Sequence, residues 1–157
     1  MIVVDSNVLA ARSLTSEKAK LAQQVELIDS VWIMPILWRY EFQNILATAI
    51  AARQITCDDA LHVWREVLAL MSDNEREPSA ENVIELSARH RITGYDANFI
   101  ALSMEMGVLC VTEDGELHTK FPGKALSMDA FIKMNRTEGQ VRESRATYRA
   151  SRRRSRE

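Results

Sequence analysis

Four carboxylates in this sequence stand where an α/β fold could gather them. Asp5 closes the β-branched run Ile2–Val4, and Asp114 comes just after the run Val108–Thr112. In open α/β sheets ligands sit beyond the carboxyl ends of the strands, so both acids fall at that edge. Asp96 opens a helix that leads into the second of these strands, and a helix running back across the sheet starts near the same edge. Glu41 follows two turns after Pro35. At ~100° per residue it lies about 70° from the centre of the apolar stripe Trp38, Phe42, Ile45 and Ala49, on the border between core and solvent. Like charges brought together repel, and a divalent cation between them removes that cost. A ligand set made only of oxygen suits Mg²⁺ or Mn²⁺ rather than zinc. Such an ion activates a water and holds a phosphate oxygen, so a convergent set implies metal-dependent phosphodiester chemistry.

Each acid also has an ordinary explanation. Asp5, with Ser6 and Asn7 behind it, could be a turn or cap residue. Asp96 stands three residues after Thr93, a weak form of the capping box, which prefers Glu or Gln there. Asp114 before Gly115 could make a turn, and Glu41 could be a solvated helix position. His62, His90 and His118 are scattered, and nothing in the sequence pairs two of them for acid–base cleavage. Cys110 falls inside an apolar run and is expected in the core; Cys57 stands near a helix start. The three Trp and most of the other aromatics fall at core or interface spacing, and the seven Met suit an adaptable seam or groove.

The elements that must position the acids follow from periodicity and punctuation. Ile2–Val4 is a buried strand. Ser16–Ser30 has helical spacing at Leu21, Val25 and Ile28. Val31–Met34 is a second strand. Pro35 suits a first helical position and Pro35–Arg53 has no Gly, so it is a helix. A partner helix runs from about Asp58 to Met71 behind Thr56 as cap, making a hairpin of the two. Ser72–Pro78 is a polar loop with room for a short strand. Ser79 caps a helix to about His90, and Thr93 caps one to Met106 that Gly107 ends. Val108–Val111 is a buried strand, and Ala125–Met128 is a last one, followed by a short helix with Phe131 and Ile132. Strands alternating with helices imply an α/β domain whose central, mainly parallel sheet of four to five strands is covered on both faces.

The 157 residues suffice for one ordinary core, and 46% hydrophobic with 27% charged residues is a globular composition. No apolar run nears the roughly 18 residues of a membrane span, and the start MIVVDSN lacks the pattern of a signal peptide, so a cytoplasmic protein is expected. Two Cys make neither a disulfide framework nor a zinc site, and no Gly-rich loop provides a nucleotide fingerprint. The net charge of -2 hides a division: eight Arg against three Glu from Arg136 onward give +5, leaving -7 on residues 1–135. The expected organisation is a folded domain over 1–135 and a basic appendage over 136–157. That appendage is a solvated extension, an RNA tether through phosphates, or a contact for a partner.

The strings IVVDSNVL, YEFQNIL and TGYDANFIALSMEMGVLCVTED, in that order, resemble a PIN-domain ribonuclease, and among these the VapC-type toxins of bacterial toxin–antitoxin pairs. The resemblance covers about residues 1–132. It implies a three-layer α/β/α fold and an endoribonuclease that cuts single-stranded or loop RNA by attack of an activated water, leaving a 5′-phosphate and a 3′-hydroxyl. By position it makes Asp5, Glu41, Asp96 and Asp114 the catalytic ligands of Mg²⁺ or Mn²⁺, with Thr112 as the Thr of a T-x-D pattern. Ser6 and Thr112 become hydroxyls that orient Asp5 or a water, with Asn7 a weaker candidate for the same task. Glu113 is expected to be exposed. A homodimer, through the two helices between Pro35 and Met71, and a cognate antitoxin are the implied protein partners.

Four alternatives stand beside this reading. A haloacid-dehalogenase-like phosphatase needs a second Asp where this chain has Asn7. A response-regulator receiver needs an acidic pair after strand one, where this chain has Ser6 and Asn7. A PIN-like module that binds RNA or protein without cutting has no use for four mutually repelling acids. A stand-alone RNA-processing nuclease would share every residue named above.

Overall fold

A computed structural model describes residues 1–137, and residues 138–157, which carry most of the basic appendage, lie outside the described residues. The elements in chain order are β1 (Ile2–Val4), α1 (Ser6–Ser13), α2 (Ala19–Ile28), β2 (Trp32–Ile33), α3 (Trp38–Ala51), α4 (Cys57–Met71), α5 (Ala80–His90), α6 (Gly94–Glu105), β3 (Cys110–Val111), α7 (Gly115–Lys120) and β4 (Ala125–Leu126). A further helix, α8, occupies 128–137, and a 3-10 turn at Ser72–Asn74 follows α4.

The four strands form one parallel sheet in the order β2-β1-β3-β4. Val3 stands opposite Ile33 on one side and Cys110 on the other, so β1 is central and its end is enclosed. The order reverses direction after β1, and a doubly wound sheet binds its ligand at such a reversal, which is where Asp5 projects. The expected short strand in Ser72–Pro78 is a single parallel bridge between Met34 and Glu75.

Two helices escaped the periodicity. In α1 the run Val8–Ala11 is apolar throughout and Ser6, Val8, Leu9 and Ala11 are all buried, so no polar face marks it as a helix. In α7 six residues are too few to show a period, and Asp114–Gly115 has the composition of a turn. Three others begin where their caps foretell: Thr56, Ser79 and Thr93 each accept a hydrogen bond from the N–H three residues on, whereas α2 starts at Ala19 rather than Ser16 and α3 at Trp38 rather than Pro35. Gly107, at φ 67°, ends α6 in the left-handed conformation that glycine adopts without strain.

The core is continuous from the sheet into the α3–α4 hairpin. Trp38 and Phe42 are fully buried on α3, and Trp64 of α4 lies over both, with ring centroids 5.6 and 6.5 Å apart. The buried stripe of α3 is Trp38, Phe42, Leu46 and Ala49, with Leu46 in the place foreseen for Ile45. Helix α6 is buried on nearly every side, and packs on β1 and α5. Its one buried hydroxyl, Ser103, donates to the Ile100 carbonyl and leaves no polar group unpaired.

Candidate active site

All four acids stand at helix N-termini. Asp5 is the residue before α1, Glu41 lies in the first turn of α3, Asp96 in the first turn of α6, and Asp114 precedes α7. Helix α3 starts at Trp38 rather than Pro35, which moves Glu41 a turn nearer the helix start than the sequence suggests. A helix N-terminus carries a partial positive charge, worth ~0.3–1 kcal/mol to a nearby carboxylate. Such ends offset part of the repulsion among Asp5, Glu41 and Asp96.

Three of the acids feel one another. Burial pushes the Asp5 carboxyl above its ordinary range, and the charge of Asp96 adds to the rise, while the Thr112 hydroxyl and the main chain at Ser6 and Asn7 pull the other way. Burial also raises Glu41, opposed by the Ser6 hydroxyl and reinforced by the charges of Asp5 and Asp96. Asp114 is not among the charges acting on either. It joins the site through Thr112, whose hydroxyl donates to Asp5 Oδ2 at 2.7 Å and accepts the Asp114 N–H at 3.1 Å.

The polar residues beside the acids hold them in place. Asn7 Nδ2 donates to Asp5 Oδ2 at 2.7 Å and Asn7 Oδ1 accepts the Glu113 N–H at 3.2 Å, so this side chain spans the β1–α1 and β3–α7 junctions. Ser6 Oγ donates to Glu41 Oε2 at 2.5 Å, so it orients Glu41 and not Asp5. Thr93 Oγ1 donates to Asp96 Oδ2 at 2.6 Å and accepts the Asp96 N–H at 3.1 Å, a reciprocal cap built with Asp. Asp114 Oδ1 accepts the Glu116 N–H at 2.7 Å, which starts α7. The ordinary explanations of Asp96 and Asp114 as caps are therefore true of the fold, and each carboxylate keeps a second oxygen for other work.

Two braces were not legible. Glu113 accepts from the Met128 N–H at 2.9 Å and pairs with Lys18, so it ties the site edge to α8 and to the residue before α2 instead of standing in water. His118 Nε2 bonds the Thr112 carbonyl oxygen at 2.8 Å, fixing the strand end that presents Thr112. The ion partner of Glu113 could not be found from local pattern, since Lys18 is 95 residues away. His90 packs on Phe121 and His62 faces Glu66, so no histidine pair forms. Cys110 is fully buried and its thiol is pushed far up by burial, as an inert core residue requires.

The donor set fits a hard cation in its chemistry: carboxylate oxygens at three mutually coupled positions, with burial and repulsion both favouring neutralisation. Among the described residues, no group of three or more His, Cys, Asp or Glu side chains is drawn close enough to grip an ion at once.

A family model for the PIN domain matches residues 2–121, a span that contains all four acids. This chain belongs to the PIN-domain family. The domain is 27% identical over 130 residues to a protein named Ribonuclease VapC3 from Pyrobaculum aerophilum, covering 77% of this chain and 95% of that one. The crystal structure of PAE2754, also from Pyrobaculum aerophilum, superposes with a TM-score of 0.67 at 20% identity, over 85% of this chain and 87% of the other. The PIN fold, an α/β/α sandwich on a parallel four-stranded sheet, is thus the one observed here. No helix among the described residues is long and apolar enough to cross a membrane.

Proposed function

We propose that this PIN domain is a divalent-metal-dependent endoribonuclease, the toxin of a toxin–antitoxin pair. The observation that carries the proposal is the coupling of Asp5, Glu41 and Asp96 at three helix N-termini, with Thr112 tying Asp114 to Asp5. The similarity to a protein named as a ribonuclease supports the reaction class.

Asp5, Glu41, Asp96 and Asp114 would hold Mg²⁺ or Mn²⁺. When bound, the ion supplies charge neutralisation for the phosphate and a lowered pKa for the attacking water. Hydrolysis forms a bond from water oxygen to phosphorus and breaks phosphorus from the 3′-oxygen, leaving a 5′-phosphate and a 3′-hydroxyl. The protein's own share is orientation. Thr112 and Asn7 fix Asp5 Oδ2, Ser6 fixes Glu41 Oε2, and Thr93 fixes Asp96 Oδ2, so each acid loses little freedom on ligation.

The proposed assembly is a homodimer through α3 and α4, whose outer surface carries a groove of about 310 Å³ lined by Leu46, Ile50, Ala60, Leu61 and Trp64. A cognate antitoxin would silence the site by placing a cationic side chain among the acids, the same neutralisation that a metal gives. RNA is the proposed substrate, and the cell interior the proposed location.

The test is cleavage of a pool of structured and single-stranded RNA with Mg²⁺ or Mn²⁺, with EDTA, and with Asp5→Asn and Asp96→Asn proteins, sequencing the new ends. Metal-dependent cuts with 5′-phosphates, lost in both variants, are expected. Metal binding by calorimetry without any cut would replace the nuclease by a binding module. Cuts that survive EDTA and both substitutions would remove the carboxylates from the chemistry.

A further inference from the structure

Aromatic rings in this fold are placed inside it, with two exceptions. Of the nine Trp, Tyr and Phe among the described residues, six are buried and Trp64 is half-buried in the α3–α4 hairpin. Tyr40 and Tyr95 alone stand in solvent, 67% and 64% exposed. Single exposed apolar residues are ordinary, and what sets this pair apart is its placement. Each is the residue before a site acid, Glu41 in the first turn of α3 and Asp96 in the first turn of α6.

The backbone holds both rings at the acidic edge. Successive Cα atoms are ~3.8 Å apart across a trans peptide, and the described residues contain no cis bond. Side chains on a helix lean toward its N-terminus, so from the first turns of α3 and α6 both rings lean toward the ends that carry the acids. The Glu41 carboxyl, raised first by burial, also feels the charge of Asp96, so the two tyrosines border one site and not two. Tyr40 is outside the apolar groove of the hairpin, which α3 lines with Gln43, Leu46, Ala47 and Ile50. Within a turn of Tyr40 the exposed residues are Ile36, Gln43 and Asn44, and within a turn of Tyr95 they are Arg91, Thr93 and Gly94. Rings set singly among polar residues lack the continuous apolar patch of a protein interface, whereas one flat ring face is all that an unstacked base requires.

We propose that Tyr40 and Tyr95 are base-stacking residues, which hold unpaired nucleobases of single-stranded RNA beside the acidic site. The choice of ligand rests on the nuclease reading above, whereas the stacking itself is measurable without cleavage. An uncharged ring grips a strand without bringing a cation to Asp5, Glu41 and Asp96, where it would compete with the metal. Every base has a face to stack, so the two rings position a strand and leave sequence choice to other contacts. The bases of a duplex are stacked on one another and offer neither ring a face, so the same pair selects single strands over duplex.

The experiment is fluorescence anisotropy of a labelled, mixed-sequence 20-nucleotide RNA with the full-length protein in EDTA, from 50 to 300 mM salt. It is repeated with Tyr40 and Tyr95 changed, singly and together, to Ala and to Phe, and with Ile84→Ala, an equally exposed apolar residue on α5, as control. Each Tyr→Ala change is expected to weaken binding by about 5- to 150-fold with the salt slope unchanged, since no phosphate contact is lost. The Phe variants keep the ring and should stay within about threefold of the parent, as should Ile84→Ala. A base-free ribose-phosphate strand should bind the parent and the double Ala variant alike. Equal affinity of these two proteins for the normal RNA, or no binding of it by the parent, would overturn the stacking site. A loss that Phe does not restore, or one that also flattens the salt slope, would overturn it as well. Ala variants that keep the RNA but lose self-association in sedimentation would assign the rings to a second copy of the chain instead. Cleavage is scored separately with Mg²⁺: RNA held through the rings but never cut would remove the nuclease reading and leave the stacking site, and cutting with unchanged binding in the double Ala variant would remove the stacking site alone.

Discussion

Helix α3 carries two carboxylate environments within one turn of each other, and they have opposite character. Arg39 meets Glu75 through two bonds, Nε to Oε1 at 2.6 Å and Nη2 to Oε2 at 2.8 Å, and the buried Trp38 indole donates to the same Oε1 at 2.8 Å. The Arg39 bond is the largest cause of a Glu75 carboxyl held below its ordinary range. Glu41, two residues further along, has a hydroxyl for a partner and two acids for neighbours, and its carboxyl is raised. Among the described residues, a fold that builds a matched pair at Arg39–Glu75 gives Asp5, Glu41 and Asp96 no ion-pair partner. The first arrangement satisfies its charges within the chain, and the second would be relieved by a positive charge. That contrast is the physical argument for placing function at the acids and structure at the pair.

The sharpest way to break the contrast is to remove one acid. Asp5→Asn keeps the shape and the Thr112 bond but removes the charge, and cleavage is expected to fall by about 10³-fold, ~4 kcal/mol in the barrier. Single-turnover cleavage of the mapped RNA measures it. Retained activity would place Asp5 with Glu75, as a structural carboxylate.

Metal addition gives the next effect. A cation that binds only the folded acids stabilises by RT ln(1 + [L]/Kd), ~2.7 kcal/mol at a hundredfold excess over Kd. Thermal unfolding of the parent should therefore shift upward with Mn²⁺ and return with EDTA, and the shift should vanish in Asp96→Asn. Removing Glu75 should leave that shift intact, since Glu75 takes no part in it. An equal loss of the shift in both variants would erase the distinction between the two regions.

Glu75→Ala attacks the other half of the comparison. It leaves the fully buried Trp38 indole without its acceptor and half-exposed Arg39 without its partner, and should cost roughly 1.5–3 kcal/mol by urea unfolding. Glu75→Gln keeps the indole bond and should cost about half as much. If both substitutions cost the same, the ion pair rather than the indole bond carries the energy.

Much of this was readable in the chain, and what was not has a common cause. The caps Thr56, Ser79 and Thr93, the break at Gly107 and the parallel order all follow from local pattern, because the signal and the structure it controls lie within a few residues. Asp5 and Asp96 were legible as strand-end and helix-start acids for the same reason. Helix α1 was not, because burial on several sides removes the amphipathic period, and α7 is too short to have one. Glu113 and Glu75 look like ordinary polar surface in sequence, and their partners Lys18 and Arg39 come from elsewhere in the chain. Long-range pairing leaves no local trace. The assignment of Ser6 to Glu41 belongs in the same class, since only the packing of α1 on α3 brings the two together.

The smallest effect concerns acid, and it tests the sign of the Glu75 environment. A carboxyl held below its ordinary 4.5 binds its proton more weakly when folded than when unfolded. Its contribution to stability is therefore complete above about pH 4.5 and drains away as the pH falls through the lowered value, at up to ~1.4 kcal/mol per pH unit for a single proton. Glu75→Gln has no such proton to bind. Between pH 5 and pH 3 the urea midpoint of the variant should fall less steeply than that of the parent, and the two curves should converge toward the acid end. Parallel curves would mean that Glu75 keeps the same affinity for its proton in both states, and the pair with Arg39 would then be a surface contact of little weight.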